Sequence, residues 1–264
     1  MNRLAAKFEE LKQSRRKGFI PFITAGDPDI ATSLELVSAL TETGADIIEL
    51  GVPFSDPMAD GPTIQSSSQR ALNNNVTLSN VLELVASIRK RTDIPIVLFS
   101  YLNPLFRYGY ERLAVDAAQV GVDGVLVTDA VDQEASEIAA ALKNRGTSLI
   151  SLIAPTTTDE RLESIAGASC GFLYAVSRNG VTGARESTSH DAEILVRRAR
   201  RFTDLPVAVG FGISTRTQIE NVWKYADAAV VGSAIVAEIA ACKPGENPVD
   251  RVRTFATNLI PATR

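Results

Sequence analysis

Two rhythms of apolar residues alternate along the chain. Short apolar runs of strand length lie at 19–24, 46–51, 94–101, 124–129, 148–154, 171–177, 206–212 and 228–233. Between them, apolar residues recur every three or four positions, the spacing of a helix with one buried face, near 30–43, 78–91, 107–120, 132–145, 159–165, 191–202, 215–225 and 234–242, with a closing helix at 248–259. Runs such as PIVLFSY and AAVVGSA carry almost no polar residue, which suits parallel strands covered on both faces. Eight strand-helix units predict a (β/α)8 TIM barrel, with a doubly wound open sheet as the competing α/β arrangement. Ahead of the first unit, Leu4, Phe8 and Leu11 stand at helical spacing within 4–16, an extra N-terminal helix placed to plug the base of a barrel. No linker or low-complexity tract divides the chain, so 1–264 is expected to be one barrel domain.

Composition narrows the function more than the fold. The 264 residues are 45% hydrophobic and 22% charged, ordinary values for a chain with a large core. A net charge of −4 without a clustered basic face argues against nucleic acid. Arg197, Arg198, Arg200 and Arg201 do crowd together, but beside Leu195 and Val196 at core spacing they read as a solvated helix face. No apolar run is long enough to cross a bilayer and the opening residues lack a signal-peptide core, so no membrane association and a cytoplasmic location are expected. Cys170 and Cys242 are too few for a disulfide framework and are expected to be small buried hydrophobes. The single histidine, His190, excludes Ser-His-Asp triads and His-rich metal sites in practice, and its place in Ser189-His190-Asp191 suits a helix start.

The chemistry concentrates in 46–62, DIIELGVPFSDPMADGP. Alternation along a strand puts Ile48 and Leu50 on one face and Ile47 and Glu49 on the other, so Glu49 is a carboxylate among apolar neighbours at the end of its strand. The following loop turns through Gly51 and Pro53, carries Asp56 and Asp60, and closes at Gly61-Pro62. A strand-end and a loop carboxylate that converge on one pocket can divide acid and base work, whereas an isolated acidic residue after a strand is often only a cap or half of an ion pair. In a barrel the active site gathers where strands end. Phe22, Thr24, Tyr101 and Asp129 stand at such ends, and Asn103-Pro104 turns the chain after the third strand. Glycine-rich segments follow the sixth, seventh and eighth strands, at 177–183, 210–214 and 232–233. Each alone suits a simple turn; together, with a helix start behind the last, they read as a phosphate site, and the longest as a mobile lid.

Three of these segments carry a family resemblance. ELGVPFSDPMADGPTIQ from Glu49, SRNGVTG from Ser177 and VGFGIS from Val209 resemble the tryptophan synthase α subunit family, and the likeness runs from PFITAGDP at Pro21 to GSAIV at Gly232. The resemblance implies a (β/α)8 barrel that cleaves indole-3-glycerol phosphate to indole and glyceraldehyde 3-phosphate by a retro-aldol reaction. It further implies transfer of the indole to a pyridoxal-phosphate-dependent β subunit in an α2β2 complex. No cofactor of its own is implied for this chain. By the resemblance, Glu49 is the principal acid/base and Asp60 the second carboxylate, accepting a hydrogen bond from the indole N–H. Phe22, Tyr101, Leu126, Tyr174 and Phe211 surround the indole, while Gly183, Gly212, Gly232 and Ser233 hold the phosphate. Thr182 is the lid residue that packs toward Asp60, and Pro53, Phe54, Asp56, Asn103 and Pro104 meet the β subunit. Two other functions fit the same residues: a stand-alone indole-3-glycerol-phosphate lyase, and a barrel kept only as an allosteric partner.

Overall fold

A computed structural model describes residues 2–176, 188–210, 212–243 and 245–261. Strands β1 (Gly18–Thr24), β2 (Ile48–Gly51), β3 (Ile96–Ser100), β4 (Gly124–Val127), β5 (Ser148–Ile153), β6 (Leu173–Val176), β7 (Val207–Gly210) and β8 (Ala228–Val231) pair in parallel, each with the next, and β8 returns to β1. The closed barrel settles the choice left open by the pattern against an open doubly wound sheet. Around it run α1 (Arg3–Gln13), α2 (Ile30–Glu42), α3 (Pro62–Asn73), α4 (Leu78–Arg89), α5 (Leu102–Tyr108), α6 (Tyr110–Val120), α7 (Asp132–Lys143), α8 (Asp159–Ala168), α9 (Thr188–Ala199), α10 (Arg216–Trp223), α11 (Ser233–Ala240) and α12 (Pro248–Leu259).

The alternation read from sequence divides the core in two. Ile48, Leu50, Leu98, Val125, Leu173 and Val209 face outward into the layer between strands and helices. Ile47, Val97, Phe99, Leu126, Ile150, Tyr174 and Ala208 face inward and fill the barrel. The N-terminal helix joins the inner set: Leu4, Phe8 and Leu11 are buried there, and the Phe8 ring lies 5.5 Å from that of Phe172. It is a plug at the base, held by Asn2, whose side-chain amide donates to the carbonyls of Asp123 (2.7 Å) and Gly146 (2.9 Å).

Carboxylates at that base follow one rule. Asp46, Asp123 and Asp227 accept hydrogen bonds from the N–H groups that open β1, β3 and β7, those of Phe19 (2.9 Å), Ile96 (2.9 Å) and Val207 (2.8 Å). Arg89 pairs with Asp123 at 2.6 Å and Arg200 with Asp227 at 2.9 Å. Each carboxylate satisfies an N–H at the start of a strand, the first of β3 and of β7 and the second of β1, whose first, on Gly18, donates to the Asp227 carbonyl. The arginine cluster at 197–201 is likewise spent on ion pairs, Arg198 and Arg201 both with Asp159.

Four expectations need correction. The loop does close at Gly61-Pro62, but the chain beyond it, where no helix was expected, is α3, with Pro62 in its first turn. Its buried face is Ser67, Ser68 and Ala71, so it has no apolar stripe for a periodicity argument to detect. Asn103 and Pro104 lie within α5 and not in a turn. The helix expected over 107–120 is two helices meeting at Gly109, whose φ of +90° breaks the run. Cys170 is exposed and Cys242 half-buried, since both fall just beyond a helix end and not on its packed face. Among the described residues no helix is long and apolar enough to cross a membrane.

Candidate active site

A cavity of about 520 Å³ opens at the carboxyl ends of the strands. Phe22, Phe99, Leu152, Tyr174 and Val230 supply apolar wall from five strands, and Ile64 adds to it from α3. Phe22 and Phe99 pack edge to face, 5.4 Å between centroids. Glu49 and Asp60 are the two carboxylates on the wall, and Gly212, Gly232 and Ser233 border it on another side.

Glu49 stands in register with Phe22 of β1 and Val97 of β3 and is 1% exposed. Among the described residues neither of its carboxylate oxygens has a hydrogen-bond partner. Removal from water, with nothing to compensate the charge, pushes its pKa up to about 8, so Glu49 holds its proton at neutral pH. Asp60 is buried too, and its pKa is raised to about 6 by burial, opposed by the Tyr101 hydroxyl that donates to its Oδ2 at 3.0 Å. It is therefore mostly ionised at pH 7. The two carboxylates hold different protonation states at one pH, as an acid and a charge stabiliser must.

Local structure explains Asp60's position. Its N–H bonds to the carbonyl of Pro57 at 3.0 Å, its own carbonyl accepts from the Gln65 amide at 2.9 Å, and Gly61 caps α3 directly behind it. Tyr101 grips the loop from across: its hydroxyl also accepts from the Ala59 N–H at 2.9 Å, and its ring lies 5.2 Å from Phe54. Burial, then the charge of Asp60, holds the Tyr101 hydroxyl protonated well above its ordinary range. The Tyr174 hydroxyl is pushed in the same direction by burial and then by Glu49 and Asp60. It lies where a side chain on Gly210 would be: a Cβ there would stand 2.0 Å from the hydroxyl oxygen.

Gly212 follows β7, and Gly232 follows β8 as the N-cap of α11, whose first residue is Ser233. Free N–H groups at a helix start, without a side chain in front of them, suit a phosphate. Among the described residues no group of three His, Cys, Asp or Glu side chains could hold a metal ion.

The sequence-derived residues thus sort by place. Glu49, Asp60, Phe22, Tyr174, Gly212, Gly232 and Ser233 meet on one cavity, and Tyr101 stands behind Asp60. Leu126 is wholly buried in the inner packing and is not on the cavity wall. Thr182, Gly183 and Phe211 lie outside the described residues. Of the loop residues, Asp56 and Asn103 are exposed, Phe54 and Pro104 half-buried, and Pro53 is buried, with little surface to offer a partner. Phe99, Leu152, Val230 and Ile64 were missed. Strand parity could have found the first three, because each lies two positions from an inward residue. Ile64 carried no such signal, being on α3.

The geometry agrees with what similar proteins are. A model of the family described as tryptophan synthase alpha chain matches residues 8–264. Tryptophan synthase alpha chains from Citrifermentans bemidjiense (51% identical over 236 residues, covering 89% of this chain and 88% of that one) and from a Caulobacter species (47% over 265 residues, 100% and 96%) are similar in sequence. A crystal structure of tryptophan synthase subunit alpha from Legionella pneumophila superposes with a TM-score of 0.90 at 34% identity, covering 98% of this chain and 97% of that one. A chain of tryptophan synthase from M. tuberculosis gives 0.89 at 34%, over the full length of both.

Proposed function

The chain belongs to the tryptophan synthase alpha chain family, a lyase family of tryptophan biosynthesis, and on that premise we propose that it cleaves indole-3-glycerol phosphate to indole and glyceraldehyde 3-phosphate. One observation carries the reaction: a fully buried Glu49, without a hydrogen-bond partner among the described residues, that keeps its proton at neutral pH and faces the same apolar cavity as an ionised Asp60.

The proton inventory follows from those two states. Protonated Glu49 gives its proton to C3 of the indole ring, and the ring nitrogen supplies the electrons. The positive charge that develops at the N–H is stabilised by the Asp60 carboxylate, held in line by Tyr101. As the bond from C3 to the glycerol chain breaks, its electrons return to the ring, the neighbouring hydroxyl becomes the aldehyde, and its proton goes to Glu49. Glu49 ends as it began. Phe22, Phe99 and Leu152 provide a flat apolar wall for the indole, and the N–H groups about Gly212, Gly232 and Ser233 hold the phosphate.

For the partner, we propose a tryptophan synthase β subunit docked over the loop that carries Asp56 and over α5. Met58 is 87% and Phe106 69% exposed there, large apolar side chains that a covering subunit would bury. The test is indole release from indole-3-glycerol phosphate by the purified chain, alone and with a β subunit. Slow release that accelerates with the partner is expected. Fast, equal release in both would make the chain a stand-alone lyase, and no release from a folded chain would overturn the reaction.

A further inference from the structure

Helix α3 begins one residue after Gly61 and so continues the loop that ends in Asp60, yet apart from Ala71, and Ile64 at its near end, its buried contacts are polar. Its buried residues are Ser67, Ser68 and Ala71. A polar grip on it comes from the end of β1 and the turn that follows. The Ser67 and Thr24 hydroxyls meet at 2.6 Å in a buried contact. One turn on, Arg70 donates from Nε and Nη2 to the two oxygens of Asp27, both at 2.7 Å. Another turn on, the Asn74 amide donates to the Pro28 carbonyl at 2.6 Å. Ser67, Arg70 and Asn74 follow helical spacing on one face, and each bonds the segment 24–28.

Asp27 is 0% exposed, and Arg70 is the ion-pair partner the structure gives it. A two-pronged bond between a planar guanidinium and a carboxylate fixes direction as well as distance. The helix is a rigid lever between this grip and the loop. Its near end carries Ile64 onto the cavity wall and Gln65 to the Asp60 carbonyl.

We propose that Asp27 and Arg70 are positioning residues for the cleavage reaction: by fixing the far end of α3, their pair sets where Asp60 stands at the near end. This rests on the role given to Asp60 above. The pair touches no substrate; it acts through the helix.

Arg70→Lys tests it, since lysine keeps the charge and loses the fork. Expected is a kcat lower by about tenfold, the scale of a sub-ångström misplacement, with KM changed by less than about twofold. The decisive measurement is a double-mutant cycle with Asp60→Asn, in which Arg70→Lys should lower kcat little further. Ser67→Ala, a milder loosening of the same face, repeats the cycle if Arg70→Lys does not fold. It should lower kcat by about two- to threefold, with the same lack of additivity. An unchanged kcat in the folded single variant, or an equal loss in both backgrounds, overturns the proposal. Wild-type kcat in Asp60→Asn alone removes the role of Asp60 itself and the proposal with it, an outcome distinct from the other two.

Discussion

Replacing Glu49 by Gln should make the fold more stable in alkali while it stops the chemistry. Folding raises the proton affinity of this carboxyl from the ordinary 4.5 to about 8, through burial. The folded chain therefore keeps a proton that the unfolded chain has already lost. Raising the pH through that window favours unfolding: the stability is whole below 4.5 and is lost progressively up to about 8. At about 1.4 kcal/mol per pH unit, the gap between 4.5 and about 8 amounts to about 5 kcal/mol in full. Between about pH 5.5 and pH 8.5 the share is about 3 kcal/mol, since the change ends near the folded pKa. Glutamine has nearly the same shape and does not titrate, so it removes the pH-dependent part and leaves a constant cost for a buried amide. The assay is thermal unfolding of both proteins at those two pH values. Wild type should lose roughly 6–12 °C more than Glu49→Gln over the interval, at about 2–4 °C per kcal/mol for a chain of this size. Other groups titrate equally in both, so the difference isolates Glu49. Parallel curves would mean that Glu49 is ionised in the folded chain, and the acid role would fail.

The same two pKa values, which belong to the substrate-free chain, set a bell-shaped dependence of kcat/KM on pH, rising as Asp60 ionises near 6 and falling as Glu49 loses its proton near 8. Asp60→Asn should flatten the acid limb of whatever activity remains, and an acid limb that persists unchanged assigns it elsewhere. Gly210→Ala should cost well over tenfold in kcat/KM, because the new methyl would meet the Tyr174 hydroxyl at 2.0 Å and its ring carbons at 2.6 and 2.9 Å. Adding Tyr174→Leu should recover more activity than adding Tyr174→Phe, since the ring itself obstructs; equal recovery would place the clash at the hydroxyl alone.

Where hydrophobicity decides structure, the sequence was legible. Seven strands fell within their expected runs and β1 began one residue before its own, and the inward placement of Ile47 and Glu49 followed from period-two alternation alone. What escaped was held by polar contacts. α3 has a buried face of two serines and an alanine, and its seat is the Asp27–Arg70 pair, 43 positions apart in sequence. The break at Gly109 depends on one backbone angle. The bond from the Tyr101 hydroxyl to Asp60 was not foreseen, being a relation between two strand-end segments that spacing along one chain cannot encode.

Acidic residues show most clearly what placement adds to identity. Asp46, Asp123 and Asp227 at the base are satisfied by strand N–H groups, and Asp27 by a guanidinium fork. In sequence they look no different from the acids of the site: Asp46 and Glu49 are three residues apart on the same apolar run. Folding sends one to the base, where donors hold it, and the other into the barrel, where neither oxygen finds one among the described residues. A carboxylate held by donors has its oxygens engaged in holding strands and turns together. Glu49, kept protonated by burial, faces an apolar cavity, and in the proposed reaction that proton passes to a ring carbon. Asp60 lies between these extremes, ionised but steadied by a single hydroxyl. The reaction needs that inequality, and it comes from the strand ends and from a helix whose position rests on charge.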